Sequence, residues 1–198
     1  MADILYTYHN QAYANITNRC NCNCRFCIRS HGNAVGEAES LWLKKDPSLA
    51  DVKEAMDHFG LDRYQELVYC GYGEPTCALD VLLESARYAK EKYGVSIRIN
   101  TNGLANLYHR KNIIPLLKGV VDALSISLNA PTPEKYNDVA RPQHDHAFET
   151  MLDFAREAKK YIPIVKLSVV DIISAEDIMA CQELADSLGL PLRIRKYS

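Results

Sequence analysis

Six short runs of the 198-residue chain alternate apolar and polar side chains, with longer stretches of helical spacing between them. The runs fall at 13–17, 66–71, 95–100, 123–129, 165–171 and 190–196, and the helical stretches at 47–59, 78–93, 107–118, 146–161 and 175–188. In the third run Val95, Ile97 and Ile99 alternate with Ser96, Arg98 and Asn100. In the fourth, Leu124, Ile126 and Leu128 alternate with Ser125, Ser127 and Asn129. Strands interleaved with helices predict a parallel sheet. Parallel strands covered on both faces read as continuous apolar runs, and these do not. A complete eight-stranded barrel fills its interior with branched apolar residues. Buried polar groups without partners are costly. The economical solution is an α/β fold in which a partial (β/α)6 TIM-like barrel of parallel strands keeps a polar lumen for a polar ligand.

The composition fits one globular unit. Hydrophobic residues make up 47% and charged residues 24%, and the net charge is −2. These values exclude a disordered or collagen-like chain and give no electrostatic reason for bulk nucleic-acid binding. No apolar run approaches the ~18 residues of a membrane span. The first residues lack the basic and apolar regions of a secretory signal.

Of seven cysteines, four fall within Cys20-Asn-Cys22-Asn-Cys24-Arg-Phe26-Cys27, directly after the first strand. A disulfide framework spreads its cysteines through a short secreted chain. This crowding predicts a reducing cytoplasmic setting and a metal or cluster site. Thiolates on one loop can hold an iron–sulfur cube, or a zinc ion with Cys22 or His31 as fourth ligand. Cys70 and Cys181 read as small buried hydrophobes.

Cys20, Cys24 and Cys27, with Phe26 before the last, match CxxxCx(aromatic)C and resemble the signature of the radical S-adenosylmethionine (radical SAM) superfamily. The resemblance implies that these three residues ligate a [4Fe-4S] cluster, with Phe26 shielding it. The fourth iron is left open to chelate S-adenosylmethionine, and Cys22 is not a ligand. Gly71-Tyr72-Gly73-Glu74 at the end of the second strand looks like the family's glycine-Glu element, which addresses the cofactor's ammonium. Asn100-Thr-Asn102-Gly resembles its strand-end TNG. Ser127 and Asn129 correspond to ribose contacts, Arg141 to a partner for the methionine carboxylate, and Val170 and Asp171 to the adenine region. The fifth strand, VKLSVVD, lacks the glycines found there in the family. These groups gather at C-terminal strand ends, the catalytic face of barrel folds.

The resemblance covers the chain as a single core domain over 1–198 with no auxiliary-cluster domain, and SISLNAPTPEKYNDVARP is similar to the TatD-linked radical SAM group. It implies reductive cleavage of S-adenosylmethionine to a 5′-deoxyadenosyl radical that takes hydrogen from a substrate. It also implies a flavodoxin- or ferredoxin-like electron donor. An activating enzyme acting on a partner protein, a compact deazapurine-type synthase, and a non-catalytic zinc module remain as alternatives. Arg193 and Arg195 alternate with Leu192 and Ile194 on the last strand, so both arginines face away from the helices. That placement predicts an anionic substrate or a partner protein at the opening.

Overall fold

The computed structural model describes residues 3–30 and 32–197; His31, a candidate zinc ligand above, lies outside them. Seven strands form one sheet in chain order: β1 (Leu5–Tyr8), β2 (Gln11–Ala14), β3 (Glu66–Tyr69), β4 (Ser96–Thr101), β5 (Ala123–Ser127), β6 (Ile164–Val170) and β7 (Leu192–Arg195). β1 pairs antiparallel with β2, and every later pair is parallel. The helices are α1 (Leu49–Phe59), α2 (Leu79–Tyr93), α3 (Ala105–His109), α4 (Ile114–Leu117), α5 (Pro133–Ala140), α6 (Ala147–Ala158) and α7 (Ala175–Ser187). Parallel strands joined in sequential order by right-handed crossovers carry their helices on one face, as in a barrel. Here β1 and β7 are free edges, so the barrel is partial.

The two faces differ as the alternation requires. On the helix face, Leu67, Tyr69, Ile97, Ile99, Leu124, Ile126, Leu167 and Val169 join Leu82, Ala86, Met151 and Phe154 in one buried core. Each large apolar side chain buried there contributes about 1.5–3 kcal/mol. On the luminal face, Tyr6, Tyr13, Val68 and Tyr72 pack with Leu41 in a second cluster. That cluster fills the lumen over β1–β3. Over β4–β7 the lumen is polar.

Three expectations are corrected. The first strand is an antiparallel hairpin, not a single run at 13–17. His9 and Asn10 turn it in left-handed conformations with φ of 47° and 59°. Residues 15–17 leave the sheet because their side chains bond elsewhere. Asn15 Nδ2 donates to Leu41 O at 2.9 Å, and its Oδ1 accepts from Tyr72 N at 3.2 Å. The stretch 107–118 is two short helices. Arg110 closes α3 in a left-handed conformation, and Pro115 lies in the first turn of α4, where its missing N–H costs no hydrogen bond. Finally, α5 lies within a segment read as loop. Thr132 caps it, accepting from Lys135 N, and Pro133 opens its first turn.

Candidate active site

The loop from Cys20 to Cys27 lies at the C-terminal ends of the strands. Asn23 N donates to Arg141 O, Arg25 N to Val139 O and Gln143 N to Asn21 O, each at 2.9–3.0 Å. Cys22 and Pro142 form an isolated antiparallel bridge. The end of α5 thus holds the cysteine loop as a neighbouring strand would. Arg25 Nη1 also meets Asp138 Oδ2 at 2.6 Å, but both groups are exposed, so the pair contributes at most about 1 kcal/mol.

Cys20, Cys24 and Cys27 line one open cavity of about 590 Å³, together with Cys22, Arg19, Arg29 and Gln143. Burial pushes the Cys20 thiol up to about 12 and raises Cys27 as well. A hydrogen bond from the Cys22 thiol lowers Cys24, and the same contact, with burial, raises Cys22. Among the described residues no three His, Cys, Asp or Glu side chains are gathered around a single-ion position. Phe26 is half-buried on the loop.

The glycine-Glu turn packs closely on the chain itself. A Cβ on Gly71 would lie 2.2 Å from Asn15 Oδ1, and one on Gly73 would lie 2.2 Å from Thr17 O. These glycines let the turn approach the segment that leads into the cysteine loop. Tyr72 is spent on the following loop, its hydroxyl donating to Gly32 O at 2.7 Å. Glu74 is only 4% exposed. Its Oε1 accepts from Thr76 N at 3.2 Å and from the hydroxyls of Thr76 and Thr101 at 2.7 Å. Its Oε2 accepts from Asn102 N at 2.8 Å. The carboxylate clamps the end of β3 to the end of β4. Burial raises its pKa, against the opposing pull of these hydrogen bonds.

Asn102 continues the clamp. Its Nδ2 donates to Asn21 Oδ1 at 2.6 Å and lies 3.5 Å from Cys22 Sγ. Asn100 Oδ1 accepts from Arg98 Nη1 at 2.9 Å, and its side chain also bonds the half-buried Cys70. Cys70 faces the lumen, whereas Cys181 is buried in the helix-side core. Ser127 is half-buried and level with Ser168. Asn129 is 3% exposed and holds a left-handed conformation with φ of 59°. Asp171 Oδ1 accepts from Tyr197 N at 2.7 Å, and its Oδ2 faces Lys196 at 3.5 Å, so it ties β6 to the residues after β7. Arg141 is exposed, closing α5 with φ of 46°.

Only three buried side-chain nitrogen or oxygen atoms among the described residues lack a hydrogen-bond partner: Asn129 Oδ1, Tyr136 Oη and Arg195 Nε. Tyr136 is 1% exposed and close enough to Cys22, Cys24, Glu74 and Cys20 for their charges to act on it. Arg195 is under the influence of Cys70 and Cys24. Unsatisfied buried polar atoms are rare and costly. Soft thiolates suit an iron–sulfur cluster, and the partnerless Tyr136 hydroxyl near them suits a polar ligand on it. The residues present fit a cluster with a bound cofactor.

The profile of the Radical SAM superfamily matches residues 14–185. The chain belongs to the radical SAM superfamily. It is an enzyme fold whose cofactors are a [4Fe-4S] cluster and S-adenosylmethionine. It is 27% identical over 171 residues to GTP 3′,8-cyclase of Lactiplantibacillus plantarum, covering 85% of this chain and 48% of that protein. It is 26% identical to molybdenum cofactor biosynthesis protein 1 of Bos taurus, covering 100% of this chain and 30% of that protein. The radical SAM chain thus spans half or less of the curated relatives it matches. Its fold superposes on anSMEcpe with bound AdoMet at a TM-score of 0.67 and 17% identity, over 94% of this chain and 50% of that one. It superposes on Streptococcus suis SuiB bound to the precursor peptide SuiA at 0.68 and 13%, over 94% and 39%. No helix among the described residues is long and apolar enough to cross a membrane.

The resemblance in sequence located the cysteine loop and the strand ends. It missed Tyr136, because α5 was read as loop. The Thr132-Pro133-Glu134 start was the available signal. It also missed that Glu74 and Asn102 brace the loop, since their partners are remote in sequence.

Proposed function

We propose that Cys20, Cys24 and Cys27 hold the cluster, and that S-adenosylmethionine lies at the mouth of the sheet between the loop and the ends of β4–β7. When bound, the cluster and S-adenosylmethionine supply one-electron reductive cleavage of the sulfonium, and the resulting 5′-deoxyadenosyl radical abstracts a substrate hydrogen. The observation that carries this reading is that all three thiols share one cavity, with the partnerless Tyr136 hydroxyl close enough to Cys20, Cys22 and Cys24 for their charges to act on it. Asn129 and Tyr136 orient the cofactor or the cluster by hydrogen bonds, with Ser127 beneath them. Exposed Arg141 reaches the methionine carboxylate only by folding back over the loop it braces. Glu74 acts indirectly, as the positioning residue that holds Asn102 against the loop. Phe26 covers the loop's outer side. A flavodoxin- or ferredoxin-like donor supplies the electron from the exposed side of the loop, where Arg25 stands. The substrate occupies the polar lumen below the cofactor.

The test is anaerobic reconstitution followed by S-adenosylmethionine and dithionite. The expected result is about four irons per chain in one cubane and slow release of 5′-deoxyadenosine without added substrate. Stoichiometric zinc retained by all four clustered cysteines, or a loaded cluster that binds no S-adenosylmethionine, would overturn it.

A further inference from the structure

The polar half of the lumen carries an excess of positive charge. Arg98, Lys166, Arg193 and Arg195 project from the luminal face, opposite the core-facing Ile97, Ile99, Val165, Leu167 and Leu192. Arg98 is fully engaged. Its Nη2 lies 2.8 Å from Glu66 Oε2 and 3.1 Å from Gln11 Oε1, and its Nη1 reaches Asn100. The other three have no carboxylate within ion-pair distance among the described residues. The acids that could neutralise them are committed: Glu66 to Arg98, Glu74 to the strand-end clamp and Asp171 to the Tyr197 amide. The register places Arg193 level with Ser168 and Arg195 level with Val170, one step nearer the mouth. Lys166 lies below them, level with Ser125. Lys166 and Arg195 are half-buried and Arg193 is exposed, but the Arg195 Nε atom is fully buried and has no partner.

A guanidinium N–H buried without an acceptor is disfavoured unless a ligand completes it. The tyrosine cluster closes the opposite half of the lumen, so a ligand entering from the mouth meets this wall. We propose that Lys166, Arg193 and Arg195 form an oxyanion-binding subsite, and that the substrate carries a phosphate or carboxylate group held there. This rests on the assignment of the cofactor to the mouth above, which leaves the lumen below for the substrate. Arg195 grips the oxyanion through its planar fork of donors, and Lys166 and Arg193 supply point charge and specificity for more than one negative group.

The test uses cluster-loaded protein under anaerobic conditions, titrated with inorganic pyrophosphate and separately with citrate, with and without S-adenosylmethionine. The two probes distinguish a phosphate source of the anion from a carboxylate source. At least one should bind, and Arg195→Met and Arg193→Met should each weaken it about tenfold or more while leaving S-adenosylmethionine affinity unchanged. Arg195→Met loses no hydrogen bond at Nε, so the variant should fold. Its thermal midpoint without anion should equal or exceed that of the unaltered chain, and pyrophosphate or citrate should raise only the latter. Three results would overturn the proposal: neither anion binding below millimolar concentration, equal anion affinity in the variants, or loss of S-adenosylmethionine affinity instead. Iron content and cofactor binding are measured first, so a failure of the cofactor assignment is seen separately from a failure of the anion subsite.

Discussion

Replacing Glu74 by Ala should unfold part of the site before it touches the chemistry. The carboxylate accepts four hydrogen bonds, two from the hydroxyls of Thr76 and Thr101 and two from the backbone N–H groups of Thr76 and Asn102. The hydroxyls can rotate to other acceptors; the two N–H groups cannot. Leaving each buried donor unsatisfied costs about 1–3 kcal/mol. Relief of the carboxylate's desolvation and entry of water offset part of this, so a net loss of about 3 kcal/mol follows. Glu74→Gln keeps an oxygen for the Oε1 donors but turns an amide N–H₂ toward Asn102 N, and should lose roughly half as much. Urea unfolding of the cluster-free, reduced protein, followed by far-UV circular dichroism, measures both. If Glu74→Ala leaves unfolding unchanged but abolishes S-adenosylmethionine binding to the loaded protein, the carboxylate addresses the ligand and the clamp argument is wrong.

The same group gives a pH dependence with a defined sign. Burial raises the folded-state pKa of Glu74 above its ordinary 4.5, so the folded chain holds that proton more tightly than the unfolded one. Stability from this group is therefore complete below 4.5 and is lost as pH rises through the folded value. Glu74→Gln should flatten that segment of the stability–pH curve.

Ala at Cys20, Cys24 or Cys27 should abolish iron binding after reconstitution, while Cys22→Ala retains about four irons, as read by iron and acid-labile sulfide assays. Tyr136→Phe removes a buried hydroxyl without a partner, so it should raise the cluster-free unfolding free energy by about 1 kcal/mol. If that hydroxyl donates to a cluster sulfur, the same variant lowers the one-electron midpoint by about 40 mV per kcal/mol lost, measured by spectroelectrochemistry; an unchanged midpoint would place the hydroxyl on the cofactor instead. Gly73→Ala drives a Cβ to 2.2 Å from Thr17 O, backbone that cannot swing aside, and should cost about 2–3 kcal/mol in thermal unfolding. Gly94→Ala meets nothing within 4 Å, and its φ of 69° alone should cost about 1 kcal/mol.

The parallel core of the fold was legible because burial on one face of each strand writes a period of two into the sequence, and the strands at 95–100 and 165–171 carry it plainly. The antiparallel hairpin was not. Its turn, His9-Asn10, holds two positive φ values without a glycine, so the usual hairpin signature is missing. The break within 107–118 was marked by Pro115, but the left-handed Arg110 that ends α3 is a tertiary outcome. In the site, the cysteine spacing is local and could be read directly. The tasks of Gly71, Gly73 and Glu74 are set by Asn15, Thr17 and Asn102, more than 25 residues away in each case. A motif match names such residues but does not say whether they touch the ligand or brace what does.

That distinction has a physical marker. A bracing residue is satisfied in the chain alone: Glu74, Asn102, Tyr72 and Asp171 all have protein partners for their polar atoms. On the reading proposed above, a ligand-facing residue is incomplete until the ligand arrives, and it destabilises the empty fold by whatever that incompleteness costs. Asn129, Tyr136 and Arg195 are incomplete in this sense, and they sit on β5's end, on α5 and on β7, three elements with no local sequence relation. Only the crossovers that set the strands in order bring them to the same mouth as the cysteine loop. The motif-bearing β3 turn and β4 end therefore build the frame. The far half of the fold, where family patterns are weakest in this chain, carries the buried polar atoms that the described protein residues leave without partners.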